Sequence, residues 1–286
     1  MKVFSNFDLT HYNSYKIKSA CKKAYFPESE ADIISIYKTE KNTKKIILGG
    51  GYNIIFSQSY YHETFIIFGD SYANIHKHGD NRIEAEAGIN MKALSEYAYN
   101  QGLTGLEIFY DIPSSLGGAI VMNAGASGEE IKDVLISVRY LDLATLRVKE
   151  ISCQEIEFDY RNSFFQRNIN TVILRVLLEL KHEKPELIRE KMEGIKKARW
   201  EKQPKEYPNA GSVFKRPKGY YVGTMIENLG LKGLTIGGAQ VSTKHAGFIV
   251  NINDASGQNI LDLITIIKKK VFQEYGVSLE VEQRII

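Results

Sequence analysis

A glycine-rich segment at residues 49–53 has the composition of a loop that holds an anion. Its residues are Gly49, Gly50, Gly51, Tyr52 and Asn53, and an apolar run precedes them. Glycines reach positive φ angles and carry no side chain, so successive backbone N–H groups can converge on an anion such as a pyrophosphate. The segment matches neither the GxGxxG fingerprint nor the P-loop. A tight turn explains it equally well, and both interpretations stay open.

A second segment, residues 112–125, combines hydroxyl groups with very small side chains. Its candidate contact residues are Ile112, Pro113, Ser114, Ser115, Gly117, Gly118, Asn123 and Gly125. Hydroxyl donors and free backbone donors beside small side chains would let a flat ring lie against the main chain. Close strand packing is the alternative, because Gly and Ala are common there. Two such segments together favour a large dinucleotide bound by both.

Arg161 is the one cation in the aromatic segment 158–165, directly after Tyr160. An Arg in such a segment is usually a surface cation stacked over a ring. The functional alternative is a fixed guanidinium that holds a carboxylate or a developing enolate.

The segment 209–217 places a serine beside a glycine and two cations. Ser212 could donate a proton, and Lys215 and Arg216 could contact phosphates. The flanking glycines of a serine-hydrolase elbow are incomplete, which argues against that activity. His245 could serve as a base, but a lone histidine is more often structural.

The segment 279–284 alternates apolar and acidic residues near the C-terminus. Alternation puts Glu280 and Glu282 on one face of a strand, opposite Leu279 and Val281. A polar outer face is the simplest interpretation of the two carboxylates.

Hydrophobic periodicity predicts the elements that must position these residues. Helices are expected after the capping residues Ser29 and Asn90, over 185–202, over 222–229 and over 259–275. Strands are expected at 44–48, 64–68, 82–87, 171–181 and 247–251, with a hairpin of 134–141 and 146–151 and a final strand around 279–281.

The composition is that of an ordinary globular protein. Its 286 residues are 43% hydrophobic and 25% charged, a length that favours two or three domains. Lys and Arg number 37 against 34 Asp and Glu, too small a surplus for a broad nucleic-acid-binding face. No apolar run reaches the length of a signal peptide or a membrane span. We therefore expect neither a nucleic-acid nor a membrane partner.

Cysteine and histidine usage predicts no metal site. Cys21 and Cys153 match no ligand or CxxC spacing, and two cysteines form no disulfide framework, which indicates a reducing cytoplasm. His76 and His78 have no apparent third ligand and are expected in a polar turn.

Taken in order, five sequence segments resemble the UDP-N-acetylenolpyruvoylglucosamine reductase family, flavoenzymes of bacterial cell-wall precursor synthesis. They are LGGGYN, GLTGLEIFYDIPSSLGGAIVMNAGASGEEI, FDYRNSFF, AGSVFKRP, and ENLGLKGLTIGGAQVSTKHAGFIVN followed by LEVEQRII. The direct connection from residue 165 to the basic helix at 185–202 resembles the shorter subtype, which lacks an inserted loop.

The resemblance implies an α+β (mixed α/β) fold with three domains. Two of them hold FAD in the manner of vanillyl-alcohol-oxidase-like flavoproteins, and the third is C-terminal and closes over a UDP-sugar. The expected bounds are 1–70 joined by the C-terminal strand 279–286, then 71–183, then 184–278. The implied reaction uses NADPH to reduce an enolpyruvyl group, with a monomeric enzyme in the cytoplasm.

The resemblance also implies roles for individual residues. The glycine loop and the 112–125 segment fall on FAD-contacting positions. Arg161, Ser212 and Glu282 fall on catalytic positions, and Tyr160, Lys215 and Arg216 are expected to bind substrate.

This chain departs from the family pattern at three places. The family usually has serine at Tyr52, Gly-Thr at Ser114-Ser115, and Thr-Phe-Arg-Ile-Gly-Gly at residues 14–19. Two alternatives are an FAD oxidoreductase with another substrate and a non-catalytic nucleotide-binding protein that has lost its flavin.

Overall fold

The computed structural model describes all residues from 1 to 286. The helices are α1 (Glu30–Thr39), α2 (Met91–Asn100), α3 (Leu116–Met122), α4 (Phe164–Arg167), α5 (Pro185–Lys202), α6 (Val222–Asn228) and α7 (Gly257–Tyr275). The strands are β1 (Lys2–Asp8), β2 (Ala20–Phe26), β3 (Lys45–Leu48), β4 (Ile54–Ile55), β5 (Tyr60–Ile67), β6 (Ile75–His78), β7 (Arg82–Glu86), β8 (Leu103–Thr104), β9 (Gly125–Ala126), β10 (Glu129–Glu130), β11 (Leu135–Asp142), β12 (Arg147–Ser152), β13 (Thr171–Glu179), β14 (Lys181–His182), β15 (Thr235–Ile236), β16 (Ala239–Val241), β17 (Ile249–Asn251) and β18 (Arg284–Ile285).

The chain divides into two compact units. The first consists of Met1–Phe4, Lys23–Gly50 and Glu63–Ala198, and the second of Ser5–Lys22, Gly51–His62 and Arg199–Ile286. The three-domain division with boundaries near residues 70 and 184 stays a prediction.

The first unit is built on an antiparallel five-stranded sheet of order β12-β11-β13-β7-β6. Its buried core includes Leu94 of α2, Ile120 of α3 and Leu174 of β13. The predicted hairpin is confirmed, since β11 and β12 pair from Ser137 opposite Ser152 to Asp142 opposite Arg147. Helix α3, which the second glycine-rich segment begins, is thus anchored in this core.

Two smaller sheets organise the second unit. β15, β16 and β17 form an antiparallel sheet, and β18 pairs in parallel with β4. The predicted final strand is wrong in extent, because regular pairing is confined to β18 and Val281 makes an isolated bridge to Phe214. A separate four-stranded sheet of order β1-β2-β5-β3 contains the parallel pair β3 and β5, whose paired residues belong to the first unit.

Helix bounds follow the capping residues. The Ser29 hydroxyl accepts a hydrogen bond from the Asp32 amide at 3.1 Å and begins α1, as predicted. α7 begins at Gly257, earlier than expected, because Ser256 and Asn259 form a capping box. Gly276 ends α7 with φ at 66°.

One residue on the predicted polar face of β7 is buried. In the sequence, Glu84 and Glu86 alternate with apolar residues as in a half-buried strand, which predicts an exposed Glu86, but this residue is 3% exposed. Its carboxylate accepts hydrogen bonds from the backbone and side chain of Asn74, both at 2.9 Å, and lies 3.5 Å from Arg175. These partners compensate the cost of burying the carboxylate. Because they come from other parts of the chain, the local alternation of residue types does not predict the burial of Glu86.

Candidate active site

The two predicted glycine-rich segments meet at Gly49 and Ser115. A β-carbon on Gly49 would lie closer than 3.0 Å to the Ser115 hydroxyl, so a side chain at this position would displace that hydroxyl. Ser115 is 5% exposed and caps α3 by accepting from the Gly118 amide at 3.3 Å. The glycine at 49 is therefore required by close approach to the second segment.

The second segment offers fewer free backbone donors than its composition suggested. The amides of Leu116 and Gly117 donate to Ile89 and Ala87 at 2.9 and 2.8 Å, and the Gly118 amide donates to Ser115. The expectation of free donors at 117 and 118 is wrong, because this segment begins a helix that periodicity did not predict. The glycines at 117 and 118 in its first turn are typical of loops, so composition did not indicate a helix here.

Other groups in the first unit do fit a nucleotide cofactor. No backbone hydrogen bond uses the amides of Gly49 and Gly50. The Ser114 hydroxyl is buried without a hydrogen-bond partner. A buried hydroxyl left unpaired costs about 1–3 kcal/mol, so a ligand that pairs with it is favoured. The two amides and this hydroxyl all belong to residues that the sequence predicted to contact FAD.

The remaining residues of the glycine loop belong to the second unit. Gly51 has φ at 68°, and a β-carbon there would overlap the Tyr12 carbonyl. The Asn53 side chain donates to the Glu282 carbonyl at 3.3 Å, and the Asn53 carbonyl accepts from the Arg284 amide at 3.0 Å. Asn53 thus holds the main chain on both sides of residue 283.

Arg161 is a fixed guanidinium in the first unit. Its Nη1 and Nη2 donate to the carbonyls of Asn123 and Gly125 at 3.3 and 2.8 Å, and it lies over the Tyr160 ring at 5.2 Å. Asn123 is fully buried, has φ at 43° and donates through its side chain to Glu130 at 2.9 Å. The two carbonyl contacts fix the orientation of the guanidinium, a group suited to holding a carboxylate.

Ser212 and Glu282 lie on two paired segments of the second unit. The Glu282 amide donates to the Val213 carbonyl at 2.9 Å, and Phe214 bridges to Val281. Ser212 is exposed and bridges to Phe248 on its other side. The pairing brings the exposed Ser212 and the partly buried Glu282 onto neighbouring segments.

The two predicted phosphate-binding cations have protein partners. Lys215 forms an ion pair with Glu280 at 2.6 Å. Arg216 stacks on the Tyr221 ring at 3.9 Å and donates to the Tyr220 carbonyl at 3.3 Å. Sequence reasoning missed these partners, although two consecutive exposed tyrosines are a recognisable signal for a stacked cation.

His245 has a structural role in the turn that precedes β17. Its Nδ1 accepts from the Gly247 amide at 3.1 Å, and its backbone amide donates to Ser242. Burial lowers the pKa of its imidazole below the ordinary value. The Gly247 carbonyl in turn accepts from Val213 at 3.0 Å, so the turn supports the Ser212 segment.

Comparison with known proteins gives two matching family models. An FAD binding domain matches residues 22–152, and the C-terminal domain of UDP-N-acetylenolpyruvoylglucosamine reductase matches 203–286. The reductase of that name from Francisella tularensis is 42% identical over 280 residues, covering 97% of this chain and 98% of its own length. This chain belongs to the UDP-N-acetylenolpyruvoylglucosamine reductase family.

Two further relatives of this reductase cover nearly the whole chain. The reductase from Syntrophomonas wolfei is 41% identical, covering 100% of this chain and 95% of its own. The solved UDP-N-acetylenolpyruvylglucosamine reductase from Thermus caldophilus is 28% identical with a TM-score of 0.82, covering 99% and 98% of the two chains. The predicted α+β FAD-binding fold is confirmed.

The reductase is therefore a flavoprotein oxidoreductase with FAD as its cofactor. The contacts made by Gly49 and Ser115 lie inside the matched FAD binding domain. Ser212 and Glu282 lie inside the matched C-terminal domain. None of its helices has the length and apolar character needed to span a membrane.

Proposed function

We propose that this reductase uses NADPH to reduce the enolpyruvyl group of UDP-N-acetylglucosamine enolpyruvate, giving UDP-N-acetylmuramate for peptidoglycan synthesis. The observation that carries the proposal is the pairing of the Ser212 and Glu282 segments, with a hydrogen bond from Glu282 to Val213 at 2.9 Å. A proton donor and a carboxyl group held on adjacent segments suit a reaction that adds a proton to a carbon beside a carboxyl group.

The chemistry divides between the cofactor and the protein. When bound, FAD carries two electrons from NADPH to the double bond of the enolpyruvyl group. Arg161 stabilises the negative charge that develops on the substrate carboxylate. Glu282 contributes by donating a hydrogen bond to the enol, which requires its carboxyl group to be protonated. Ser212 donates the proton that completes the lactyl ether. A positioned acid of this kind contributes on the order of 10²–10⁴ to a rate.

Substrate binding uses the cations of the loop after Ser212. Arg216 offers a planar fork to the UDP pyrophosphate, and Lys215 offers a point charge. Lys215 exchanges its ion pair with Glu280 for the phosphate, which is feasible because the Glu280 side chain is 68% exposed. Tyr160, 44% exposed beside Arg161, contacts the sugar side of the substrate. A cytoplasmic location and a monomeric state stay predictions.

The test follows the visible absorption of the purified protein through both halves of the reaction. We expect a yellow protein whose flavin absorbance bleaches on addition of NADPH and returns on addition of the enolpyruvyl sugar nucleotide. A yellow protein that bleaches but ignores this substrate would favour an FAD oxidoreductase with another substrate. A colourless protein that takes up no added FAD yet binds a UDP-sugar would favour a non-catalytic nucleotide-binding protein.

A further inference from the structure

Gln283 is a buried polar residue next to Glu282 whose side chain makes three hydrogen bonds. It is 3% exposed, and its Nε2 donates to the carbonyls of Ala210 and Gly211 at 3.1 and 3.2 Å. Its Oε1 accepts from the Tyr15 hydroxyl at 3.0 Å. Ala210 and Gly211 directly precede Ser212, so one side chain connects the neighbours of two predicted catalytic residues.

The main chain changes its pairing partner at this residue. The amide of Glu282 donates to Val213, but the amide of Arg284 donates to Asn53 and that of Ile286 donates to Ile55. The C-terminal segment therefore leaves the Ser212 segment after Glu282 and continues as the partner of β4. The Gly211 carbonyl loses the main-chain donor that continued pairing would supply, and no main-chain donor reaches the Ala210 carbonyl.

The Gln283 side chain supplies the missing donors. Carbonyl oxygens only accept, so the two contacts require the NH₂ end of the amide, which leaves the oxygen for the Tyr15 hydroxyl. Tyr15 is fully buried, and burial raises the pKa of its phenol well above the ordinary value, which keeps the hydroxyl protonated as a donor. The orientation of the amide is thus determined by its three partners.

We propose that Gln283, oriented by Tyr15, is a positioning residue that keeps the Ser212 segment in register with Glu282. Only one main-chain bond, from Glu282 to Val213, links the two segments on this side of the Phe214 bridge. The main chain turns at Gly211, which has φ at 79° and whose amide donates to the Asn209 side chain at 3.1 Å. The two amide contacts of Gln283 fix the carbonyls of this turn relative to Glu282.

The inference rests on the proposed function and is tested by Gln283→Met, which keeps the length of the side chain and removes its donors. We expect the return of flavin absorbance on addition of the enolpyruvyl substrate to slow on the order of 10- to 100-fold, because small displacements of catalytic groups have such costs. Bleaching by NADPH is expected to stay at the wild-type rate. The matched control is Gln258→Met, an exposed glutamine of α7 that bonds only to Asp262.

A second readout is independent of activity. Hydrogen exchange of the peptide containing residues 208–214 is expected to accelerate in Gln283→Met and to stay unchanged in Gln258→Met. Tyr15→Phe retains both donors of Gln283 and is expected to give an intermediate slowing of the substrate step. Equal slowing of both half-reactions, or wild-type exchange at 208–214, would overturn the positioning role. Absence of enolpyruvyl reduction in the wild-type enzyme would instead refute the proposed function.

Discussion

The hydroxyl of Ser115 occupies the space that a β-carbon on Gly49 would need. The two residues lie 66 positions apart in the printed sequence, on the two segments that flank the predicted flavin site. Their proximity makes the glycine loop and the start of α3 one structural element. A substitution at residue 49 is therefore expected to displace the Ser115 hydroxyl that caps α3.

We predict that Gly49→Ala weakens FAD binding and destabilises the fold by about 1–3 kcal/mol, the usual range for overpacking. The methyl group would push Ser115 from the Gly118 amide and displace the segment that carries the unpaired Ser114 hydroxyl. Titration of the apoprotein with FAD and urea unfolding measure the two effects. Gly194→Ala is the control, because Gly194 lies within α5 with open space around it and alanine there is expected to stabilise by about 0.5–1 kcal/mol.

We predict that Ser212→Ala separates the two halves of the reaction. NADPH is expected to bleach the flavin at the wild-type rate, while return of absorbance with the enolpyruvyl substrate falls on the order of 10²–10⁴. Stopped-flow absorbance measures both rates, with the exposed Ser5→Ala as the control. Equal loss in both halves contradicts proton donation by Ser212.

We predict that Arg216→Lys raises the KM for the UDP-sugar about tenfold or more and leaves flavin reduction by NADPH unchanged. Lysine keeps the charge but loses the fork and the stack on Tyr221, which lies 3.9 Å away. Steady-state kinetics with each substrate varied in turn measures the two constants. The reverse pattern, in which flavin reduction slows and the KM for the UDP-sugar is unchanged, would contradict a role of Arg216 in substrate binding.

We predict a further change at the neighbouring ion pair. Glu280→Gln releases Lys215 from its 2.6 Å contact and is expected to lower the KM for the UDP-sugar, because the lysine no longer exchanges one anion for another. The effect of an exposed pair is small, about 0.2–1 kcal/mol. A raised KM would show that Glu280 itself helps to bind substrate.

We predict that His245 makes the stability depend on pH below its ordinary pKa of 6.5. Burial lowers the pKa of the folded protein's imidazole, so between that lowered value and 6.5 the unfolded chain binds a proton that the folded chain does not. Above pH 6.5 the contribution is constant, and as the pH falls below 6.5 the free energy of unfolding decreases. Urea unfolding of wild type and His245→Asn across this range measures it, with the exposed His78→Asn as the control.

Local patterns predicted the elements whose determinants are local. The basic helix was expected over the residues that α5 occupies, and Ser29 and Asn90 cap α1 and α2 as their spacing indicated. Capping and periodicity act within a few residues, so they can be read from a single chain.

Relationships between distant residues were not predictable in the same way. The burial of Glu86 depends on its ion pair with Arg175, and the charge of Lys215 is paired by Glu280. The sequence pattern does not predict the burial of Gln283, because a glutamine in an alternating segment resembles a polar surface residue. Its partners Tyr15 and Ala210 lie 268 and 73 residues away, where no local pattern reaches.

The contact between Asn53 and Glu282 has a consequence for the time course of folding. The two residues are 229 positions apart, so the chain closes a very long loop before β18 can pair with β4. Contacts between distant residues form slowly, because the entropy of closing the loop is lost before the contact is made. The carboxylate of Glu282 is therefore set in place late, and a refolding chain regains its helices well before it regains the ability to turn over substrate.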